Sequence, residues 1–405
     1  MVMTKKKIQT LKGFRDFLPP EAMKRQWLID QITSTFELWG YDPLETPTLE
    51  PLELFEGQIG EDEKLFFKFE DPGGRQVALR YDQTVPACRV VGQYFQELPT
   101  PFKRYQIQPA YRAEKPQKGR FREFLQCDAD IFGFEGPEAD AEVIALSLDI
   151  YRRLGFPKAV AKINDRKLLK GIPYEAISAI DKMEKVGKKG VLSDMKKKGI
   201  SDSDAKKYLK QIDEIKPNET IEVIFKYLKD AGFEKDWYEF DPTIARSFSY
   251  STGPIWEIKI PEYEAGSVLG GERFDKLVKE VSGKDVPATG FAVGFDRTLQ
   301  AAEQLKLVPE FTTSTKVLVT IFGDKTIDAS NKAVQLLRKS GINSELYVNE
   351  KDKMAKQLKY ADKKGIPYAV IIGPDEILKE SVVLKDLINK TQETIPLLSL
   401  PTRIN

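Results

Sequence analysis

The chain has 405 residues and contains no histidine. This absence excludes a Ser-His-Asp triad, a His-Glu-x-x-His metalloprotease site and any histidine general base. Chemistry on this chain must therefore use carboxylates, arginine, lysine, hydroxyls, the backbone and any bound metal. Such a set favours electrostatic positioning of charged reactants, which is typical of phosphoryl and nucleotidyl transfer.

Cysteine and long apolar runs are also scarce. Cys88 and Cys127 are the two cysteines, too few for a disulfide framework or a cysteine-rich zinc site, so we predict two reduced thiols. The lysine-rich residues 1–12 are followed by no apolar run, and no stretch is long enough to cross a membrane. We therefore expect a cytoplasmic protein without a signal peptide.

The chain carries almost no excess of charge, because 63 basic and 62 acidic residues leave a net charge of +1. The total does not indicate a nucleic-acid partner, although local basic surfaces remain possible. Residues 165–235 form one candidate, because lysines are dense there and strand patterns stop, which predicts a helical insertion. Solvated helix faces and an RNA-facing surface both remain open for this segment.

The length of the chain predicts two or three domains. In residues 1–164 and 236–306, strands and helices alternate without βαβ regularity, and neither Gly-x-Gly-x-x-Gly nor a Walker A pattern occurs. We predict one α+β domain with an antiparallel sheet from these two parts. Residues 307–315 are rich in turn formers and predict a linker. Residues 316–405 alternate regularly and predict a separate α/β domain with a mixed sheet.

The strongest local feature is a basic loop between two predicted strands, residues 102–111 and 123–133. Three arginines and two lysines lie in this loop: Arg112, Lys115, Lys118, Arg120 and Arg122. Guanidinium forks suit phosphate oxygens, and the ring of Phe124 suits a nucleotide base. On these features alone, a nucleotide-binding loop and an ordinary solvated loop both remain open.

Longer motifs make the interpretation specific. Residues 112–124 (RAEKPQKGRFREF) resemble motif 2 of the class II aminoacyl-tRNA synthetases, in the version found in histidyl-tRNA synthetases. Other segments extend the resemblance over nearly the whole chain: 13–19 (GFRDFLP), 40–50 (GYDPLETPTLE, similar to motif 1), 79–86 (LRYDQTVP), 126–133 (QCDADIFG), 290–297 (GFAVGFDR, similar to motif 3 with Asp296 where Glu is more usual) and 356–362 (KQLKYAD, similar to the anticodon-binding domain).

The resemblance implies a class II catalytic domain with an antiparallel sheet and a helical insertion, followed by an α/β anticodon-binding domain. It implies that ATP is bound by Arg112, Glu114, Arg120, Phe124 and Arg297. It implies that the amino acid is bound by Asp82, Thr84, Gln126, Asp130, Arg246, Tyr250, Ser251 and Phe274. The implied catalytic residues are Arg112, Arg246 and Arg297. Mg²⁺ is expected on the ATP phosphates and not in a site made by the protein alone.

Two segments depart from the family pattern. The family's Arg-Gly-Leu-Asp-Tyr-Tyr-Thr-Gly corresponds to residues 246–253 (RSFSYSTG), so that Ser251 replaces a tyrosine that lies against the substrate ring. The family's Gly-Gly-Gly-Arg-Tyr-Asp corresponds to residues 270–275 (GGERFD), with Phe274 in place of tyrosine. Losing two hydroxyl-bearing rings removes polar contacts, each worth about 1–3 kcal/mol when buried. These departures concern the specificity for the amino acid.

The function implied by the resemblance is histidine–tRNA ligase activity with ATP, histidine and tRNA(His) as substrates. A homodimer through the motif 1 region and no membrane association are expected. Two alternatives remain open from the residues. One is a ligase for another amino acid, because Ser251 and Phe274 alter the pocket. The other is a non-catalytic relative that acts as a regulator or as a sensor of uncharged tRNA.

Overall fold

The computed structural model describes residues 8–57, 65–115, 121–245 and 250–404. Its contacts divide the chain into two compact units. The main unit contains the residues up to Asp16 together with Gln26–Val308. The C-terminal unit contains Phe17–Arg25 and the residues from Pro309 onward. No helix in the described ranges is both long enough and apolar enough to cross a membrane.

Helices and strands alternate irregularly in the main unit and regularly in the C-terminal unit. The helices of the described ranges are α1 (Pro19–Leu38), α2 (Thr84–Gln93), α3 (Pro137–Arg153), α4 (Tyr174–Ile180), α5 (Met183–Lys197), α6 (Asp202–Glu214), α7 (Glu219–Asp230), α8 (Asp275–Ser282), α9 (Phe295–Gln304), α10 (Ile327–Lys339), α11 (Met354–Lys364), α12 (Pro374–Leu378) and α13 (Leu400–Ile404). The strands are β1 (Asp42–Pro43), β2 (Leu49–Pro51), β3 (Lys68–Glu70), β4 (Gln76–Leu79), β5 (Phe102–Tyr111), β6 (Glu123–Phe132), β7 (Val160–Asp165), β8 (Tyr238–Phe240), β9 (Pro254–Lys259), β10 (Leu269–Arg273), β11 (Ala288–Gly294), β12 (Val317–Val319), β13 (Ser344–Leu346), β14 (Tyr368–Ile371), β15 (Ser381–Asp386) and β16 (Thr391–Pro396).

The main unit is built on an eight-stranded sheet with the order β1-β5-β6-β11-β10-β9-β7-β8. Its inner strands pair antiparallel, and only the outermost pairs, β1 with β5 and β7 with β8, run parallel. A smaller antiparallel sheet has the order β2-β4-β3. The predicted α+β fold with an antiparallel sheet is therefore confirmed.

The two faces of this sheet differ in polarity because side chains alternate along each strand. On β6, Cys127, Ala129 and Ile131 are buried in the main hydrophobic core, which also contains the buried face of α3. The opposite face of β6 carries Gln126 and two aspartates, described below. One face thus supplies the packing that holds the sheet, and the other is available for a polar site.

The segment between β7 and β8 is helical. Helices α4, α5 and α6 have a small core of their own around residues such as Ile177, Val191 and Leu209. Helix α7 instead buries Ile221 and Leu228 in the main core, where it packs against α3. Most lysines of α5 and α6 are exposed, and several pair with aspartates, as Lys188 does with Asp213. These contacts leave the two interpretations of the lysine-rich surface open.

The C-terminal unit is a second, separate α/β structure. Its five-stranded sheet has the order β13-β12-β14-β15-β16, parallel over the first three strands and antiparallel beyond β14. Val317, Val334 and Val370 form part of its core, between the sheet and α10. The parallel part follows from the strand–helix alternation, because parallel neighbours need a helical crossover. The predicted α/β domain with a mixed sheet is confirmed.

Candidate active site

A pocket of about 200 Å³ opens on the polar face of the large sheet. Several side chains predicted from the sequence line it: Asp82, Thr84, Arg112, Gln126, Asp130, Tyr250 and Phe274. The other lining residues are Gly270, Gly271, Glu272, Gly290, Phe291 and Ala292. The pocket thus collects residues from β6, β10 and β11 and from the start of α2, segments far apart in the sequence.

The floor of the pocket consists of residues in register across adjacent strands. One row runs Glu272, Gly290, Asp130 and Arg104 on β10, β11, β6 and β5. Directly paired residues point to the same face of a sheet, so these side chains share the polar face. Next to this row lie Gly270, Ala292, Asp128 and Gln106. The small residues of β10 and β11 leave the space that the polar side chains of β6 enter.

The Asp130 side chain occupies space that is available because residue 290 is glycine. A β-carbon at Gly290 would lie 1.7 Å from Oδ1 of Asp130 and 2.6 Å from the carbonyl oxygen of Ala129. Both separations are far below van der Waals contact, and the second involves backbone that is held in the sheet. The Asp130 carboxylate therefore lies directly over the Gly290 backbone, a position that only glycine permits.

Replacing Gly290 with alanine is therefore expected to displace the Asp130 carboxylate from the pocket. We expect the KM for the amino-acid substrate to rise at least about tenfold, since a charge-assisted contact is lost. Overpacking should also lower the free energy of unfolding by about 1–3 kcal/mol. Steady-state kinetics and urea unfolding measure the two effects, and the control is Gly323→Ala, the same substitution at a position of the C-terminal unit where an added β-carbon meets no atom within 4 Å. An unchanged KM in the folded Gly290→Ala variant would contradict this role.

Asp130 forms an ion pair with Arg104 beneath the pocket. Arg104 is fully buried, and its Nη1 also donates to Oε1 of Gln106 at 3.3 Å. Burial raises the pKa of Asp130 to about 6, the Arg104 guanidinium opposes that rise, and the charge of Asp82 adds to it. At neutral pH the carboxylate is therefore mainly ionised and can accept hydrogen bonds from a ligand in the pocket.

Two further carboxylates lie close to Asp130. Asp82 precedes α2, and its Oδ1 accepts a hydrogen bond from the backbone N–H of Val85 at 3.2 Å, which fixes it at the helix N-terminus. Burial raises the pKa of Asp82, and the hydrogen bond from Val85 opposes that rise. Asp128 accepts a hydrogen bond from Nε2 of Gln126 at 3.0 Å, and burial raises its pKa well above the ordinary value. The floor of the site therefore carries three neighbouring carboxyl groups, and burial makes each of them harder to ionise.

Arg112 supplies positive charge beside these carboxyl groups, because it lines the same pocket. Its guanidinium lies 4.3 Å from the ring centroid of Tyr81 and 5.1 Å from that of Phe124. Its Nε donates to the carbonyl oxygen of Tyr81 at 3.4 Å. The two rings and this hydrogen bond restrict the orientation of the guanidinium, so its charge is preorganised toward a ligand in the pocket.

The basic loop is only partly described. The backbone N–H of Arg112 donates to the carbonyl oxygen of Arg122 at 2.9 Å, and Nε of Arg122 donates to the carbonyl oxygen of Glu114 at 3.0 Å. These bonds extend the β5–β6 hairpin into the loop. Arg120 lies in 116–120 and Arg246 in 246–249, both outside the described residues, so their assigned roles stay predictions.

Arg297 lies at the start of α9, immediately after β11. Its Nη1 donates to the carbonyl oxygen of Ser267 at 2.9 Å. The neighbouring Asp296 forms an ion pair with Arg15 at 3.0 Å, and the Arg15 guanidinium lies 3.2 Å from the ring centroid of Phe121. Arg297 is not among the described residues that line the pocket. Its predicted contact with ATP phosphates therefore concerns space beyond the pocket.

The two departures from the family pattern meet in this site. Ser251 donates a hydrogen bond from its hydroxyl to Glu272, and Glu272, not Ser251, is among the described lining residues. Phe274 is buried and packs edge-on against Phe132, with ring centroids 6.0 Å apart. The sequence singled out Ser251 and Phe274, and Glu272 was not among the predicted site residues. The signal that identifies Glu272 is a carboxylate at a glycine position of the family pattern.

A metal site made by the protein would need several ligands in one place. Within the described ranges, no group of three or more aspartate, glutamate or cysteine side chains is placed to hold a metal ion. A divalent cation brought by a nucleotide needs only the phosphates and a few protein or water oxygens. The arrangement of carboxylates and arginines is compatible with that second case.

Comparisons with known proteins identify the family of this chain. The family profile described as histidyl-tRNA synthetase matches residues 13–186 and 176–298, and the profile described as anticodon binding domain matches residues 316–405. The chain belongs to the histidyl-tRNA synthetase family. The first profile matches most of the main unit, and the second matches the part of the C-terminal unit from residue 316 onward.

Relatives of the family match over nearly the full length. A histidine–tRNA ligase from Gloeobacter violaceus is 36% identical, with 96% of this chain and 96% of the relative covered. One from Aeropyrum pernix is 36% identical, with 90% of each chain covered. The crystal structure of histidyl-tRNA synthetase from Nostoc sp. PCC 7120 superposes with a TM-score of 0.85 at 28% identity, covering 99% of both chains.

Proposed function

We propose that the chain is a histidine–tRNA ligase that activates histidine with ATP and transfers it to the 3′ end of tRNA(His). The observation that carries this proposal is the pocket, in which buried carboxylates and the fixed Arg112 guanidinium line one small cavity. The full-length similarity to relatives named histidine–tRNA ligase supports it. The same similarity does not favour a non-catalytic regulator or a ligase for another amino acid.

The pocket suits an amino acid with a polar, nitrogen-containing side chain. In this proposal Asp82 and Gln126 accept hydrogen bonds from the α-ammonium group, together with Thr84 at the start of α2; that all three line the cavity supports these roles. Asp130, further along β6, is assigned to accept a hydrogen bond from the imidazole ring, and its place in the wall of the cavity supports this role. Acceptors at both ends of the ligand, with Tyr250 and Phe274 as walls, define its orientation.

ATP would lie next to the amino acid on the Arg112 side. Arg112 and Arg297 are assigned to its phosphates and Phe124 to the adenine ring, with Glu114 and Arg120 in the same loop. Arg246 is assigned a position near the reacting carboxylate and the α-phosphate. These roles follow the family motifs, and the contacts of Arg112 with Tyr81 and Phe124 support the first of them.

Activation joins two anions, the carboxylate of histidine and the α-phosphate of ATP. A carboxylate oxygen forms a bond to the α-phosphorus, the bond to the bridging oxygen of the β-phosphate breaks, and pyrophosphate leaves. Cations on both sides offset the repulsion and hold the groups in line. No general base is needed, because the carboxylate is ionised at neutral pH. Mg²⁺ bound through the phosphates would supply additional charge neutralisation.

Transfer to tRNA requires a proton acceptor for the ribose hydroxyl. The chain has no histidine to serve in that role. A non-bridging phosphate oxygen of the adenylate is the acceptor that this chemistry leaves. The ribose oxygen forms a bond to the carbonyl carbon, the bond between that carbon and the bridging phosphate oxygen breaks, and AMP leaves with the proton. We therefore propose substrate-assisted proton transfer in the second step, with the protein contributing orientation and positive charge.

The domain assignment follows from these roles. Residues 1–164 and 236–306 would form the catalytic domain, 165–235 the helical insertion, 307–315 the linker and 316–405 the anticodon-binding domain. A homodimer formed through residues 40–50 is expected, and a monomeric mass at micromolar concentration in sedimentation would contradict it. The protein would act in the cytoplasm, where tRNA is charged.

The experiment that tests the proposed function is aminoacylation of tRNA transcripts. Purified protein should esterify histidine to tRNA(His) in the presence of ATP and Mg²⁺, and it should leave a transcript with a different acceptor stem and anticodon uncharged. Charging of tRNA(His) with another amino acid would show that this amino acid, and not histidine, is the substrate. If folded protein charges no tRNA, the result would favour the alternative of a non-catalytic regulator or sensor of uncharged tRNA.

A further inference from the structure

Glu272 is a carboxylate in the pocket that the family pattern does not predict. It lies on β10 at a position where the pattern has glycine, it is only 5% exposed, and it lines the cavity. A glutamate that replaces glycine in a confined site adds both charge and volume. Burying such a charge is costly unless hydrogen bonds or opposite charges compensate it.

Among the residues that the structure describes, Ser251 and Arg166 interact with the carboxylate of Glu272. The buried hydroxyl of Ser251 donates a hydrogen bond to Oε2 of Glu272. Arg166 follows β7, and burial lowers the pKa of its guanidinium while the charge of Glu272 opposes that effect, so the two groups interact electrostatically. Arg166 is itself fixed, because its Nη1 donates to the carbonyl oxygen of Ala245 at 3.2 Å. These contacts position the carboxylate and leave it on the cavity wall.

Glu272 lies opposite Asp130 across Gly290. The three residues are in register on neighbouring strands, so the two carboxylates share the polar face and are separated by one glycine. Two strand spacings place their α-carbons roughly 10 Å apart. The Asp130 carboxylate already leans over Gly290 toward Glu272, because its Oδ1 lies 1.7 Å from the place that a β-carbon of residue 290 would take. A ring that binds both carboxyl groups would therefore lie above this row, inside the cavity that both residues line.

We propose that Glu272, positioned by Ser251, is a second specificity-determining carboxylate, and that Asp130 and Glu272 each accept a hydrogen bond from one nitrogen of the substrate's imidazole ring. This inference rests on the proposed function and assigns the ring contacts within it. Ser251 then contributes indirectly, through Glu272, where the family pattern has a tyrosine. The imidazole must carry hydrogen on both nitrogens to serve two carboxylates, so the bound form is the imidazolium ion.

The first test measures histidine-dependent ATP–pyrophosphate exchange in variants of this pair. Glu272→Gln should raise the KM for histidine about 10- to 100-fold, the effect of weakening one charge-assisted hydrogen bond, and should leave the KM for ATP within about twofold. Ser251→Ala should raise the KM for histidine about threefold to tenfold, and Ser251→Thr, which keeps the hydroxyl, should restore it. The matched control is Glu280→Gln, the same change at an exposed position of α8.

The second test uses the two ring-methylated isomers of histidine as inhibitors of exchange. In the wild-type protein both isomers should bind at least about tenfold more weakly than histidine, because each lacks one ring N–H. In Glu272→Ala, the penalty should disappear for the isomer methylated on the nitrogen that faces Glu272 and persist for the other. A purely structural role of Glu272 would affect both isomers equally.

The outcomes separate the inference from the proposed function. Exchange by the wild type with an unchanged KM for histidine in Glu272→Gln would overturn the role of Glu272 while leaving the ligase activity established. Equal binding of histidine and both methylated isomers by the wild type would also overturn the role of Glu272. This test uses no variant, so it does not depend on whether a variant folds. Absence of histidine-dependent exchange in the wild type would contradict the proposed function itself.

Discussion

Replacing Arg112 with glutamine is expected to lower the kcat of histidine-dependent ATP–pyrophosphate exchange about 100- to 1000-fold, the cost of removing one preorganised donor from a developing negative charge. The guanidinium is held between Tyr81 and Phe124 and lines the pocket. Because it would neutralise charge on the α-phosphate as the new bond forms, its loss should affect kcat more than the KM for histidine.

Two comparison variants sharpen this expectation. Arg112→Lys keeps the charge and loses the planar fork, so it should retain more activity than Arg112→Gln. Arg75→Gln is the control, because the Arg75 side chain is 79% exposed in a turn away from the pocket. Thermal unfolding shows whether the lost packing on Tyr81 unfolds the protein. A kcat within about fivefold of the wild type for folded Arg112→Gln would contradict a role in transition-state stabilisation.

The second large effect is expected on stability, from Arg104→Leu. Removing the guanidinium leaves the Asp130 carboxylate buried without its counter-charge, which costs about 3–5 kcal/mol of unfolding free energy near pH 8. The size of this effect follows from complete burial of Arg104. Chemical denaturation of the variant and the wild type at several pH values measures it.

The cost of Arg104→Leu should depend on pH in a definite direction. Asp130 already has a pKa of about 6 in the folded wild type, above its ordinary value, so its protonated form is favoured by folding. Stability from such a group is present below the unfolded pKa and is lost as pH rises through the folded pKa. Without Arg104 the folded pKa rises further, so the difference between the proteins should grow above pH 6 by about 1.4 kcal/mol per pH unit.

A double variant separates charge from packing. Arg104→Leu combined with Asp130→Asn lacks the Asp130 carboxylate, so the additional loss of stability between pH 6 and pH 8 should be smaller than in Arg104→Leu alone. Asp82 and Asp128, whose ionised forms Arg104 also favours, account for any loss that remains. Asp82 and Asp128, which also face Asp130, are unchanged in both variants. A difference between Arg104→Leu and the wild type that stays constant from pH 5 to pH 8 would contradict the linkage to Asp130.

The family resemblance named the site residues, and local sequence patterns predicted the two strands that carry several of them. The expected strands at 102–111 and 123–133 correspond closely to Phe102–Tyr111 and Glu123–Phe132. Polar and apolar residues alternate along 126–130 (QCDAD), so the pattern separates a polar face of the sheet from an apolar one. Local periodicity of this kind is readable because the side-chain period of a strand is two.

Other parts of the site depend on neighbours that local patterns do not reveal. Arg104 resembles any polar residue of a half-exposed strand, and its burial against Asp130 follows from the register of β5 with β6. The requirement for glycine at Gly290 comes from Asp130 on the adjacent strand. The role of Glu272 follows from three strands aligned together. Long-range strand register is the information that the sequence pattern lacks.

The helical segment shows the same limit on a larger scale. Lysine density and missing strand patterns predicted helices over 165–235, and α4 to α7 lie there. An apolar stripe such as that of Ile221 and Leu228 predicts a buried face without naming what buries it. In the structure this stripe packs into the main core, while α4 to α6 pack with one another.

The measurement that tests the central claim most directly is amino-acid-dependent ATP–pyrophosphate exchange, with all twenty amino acids offered singly in the presence of Mg²⁺. The account predicts exchange with histidine alone, because the carboxylates of the pocket select a side chain with two ring nitrogens. Exchange with a different amino acid, or with none by protein that is folded and binds ATP, would contradict it.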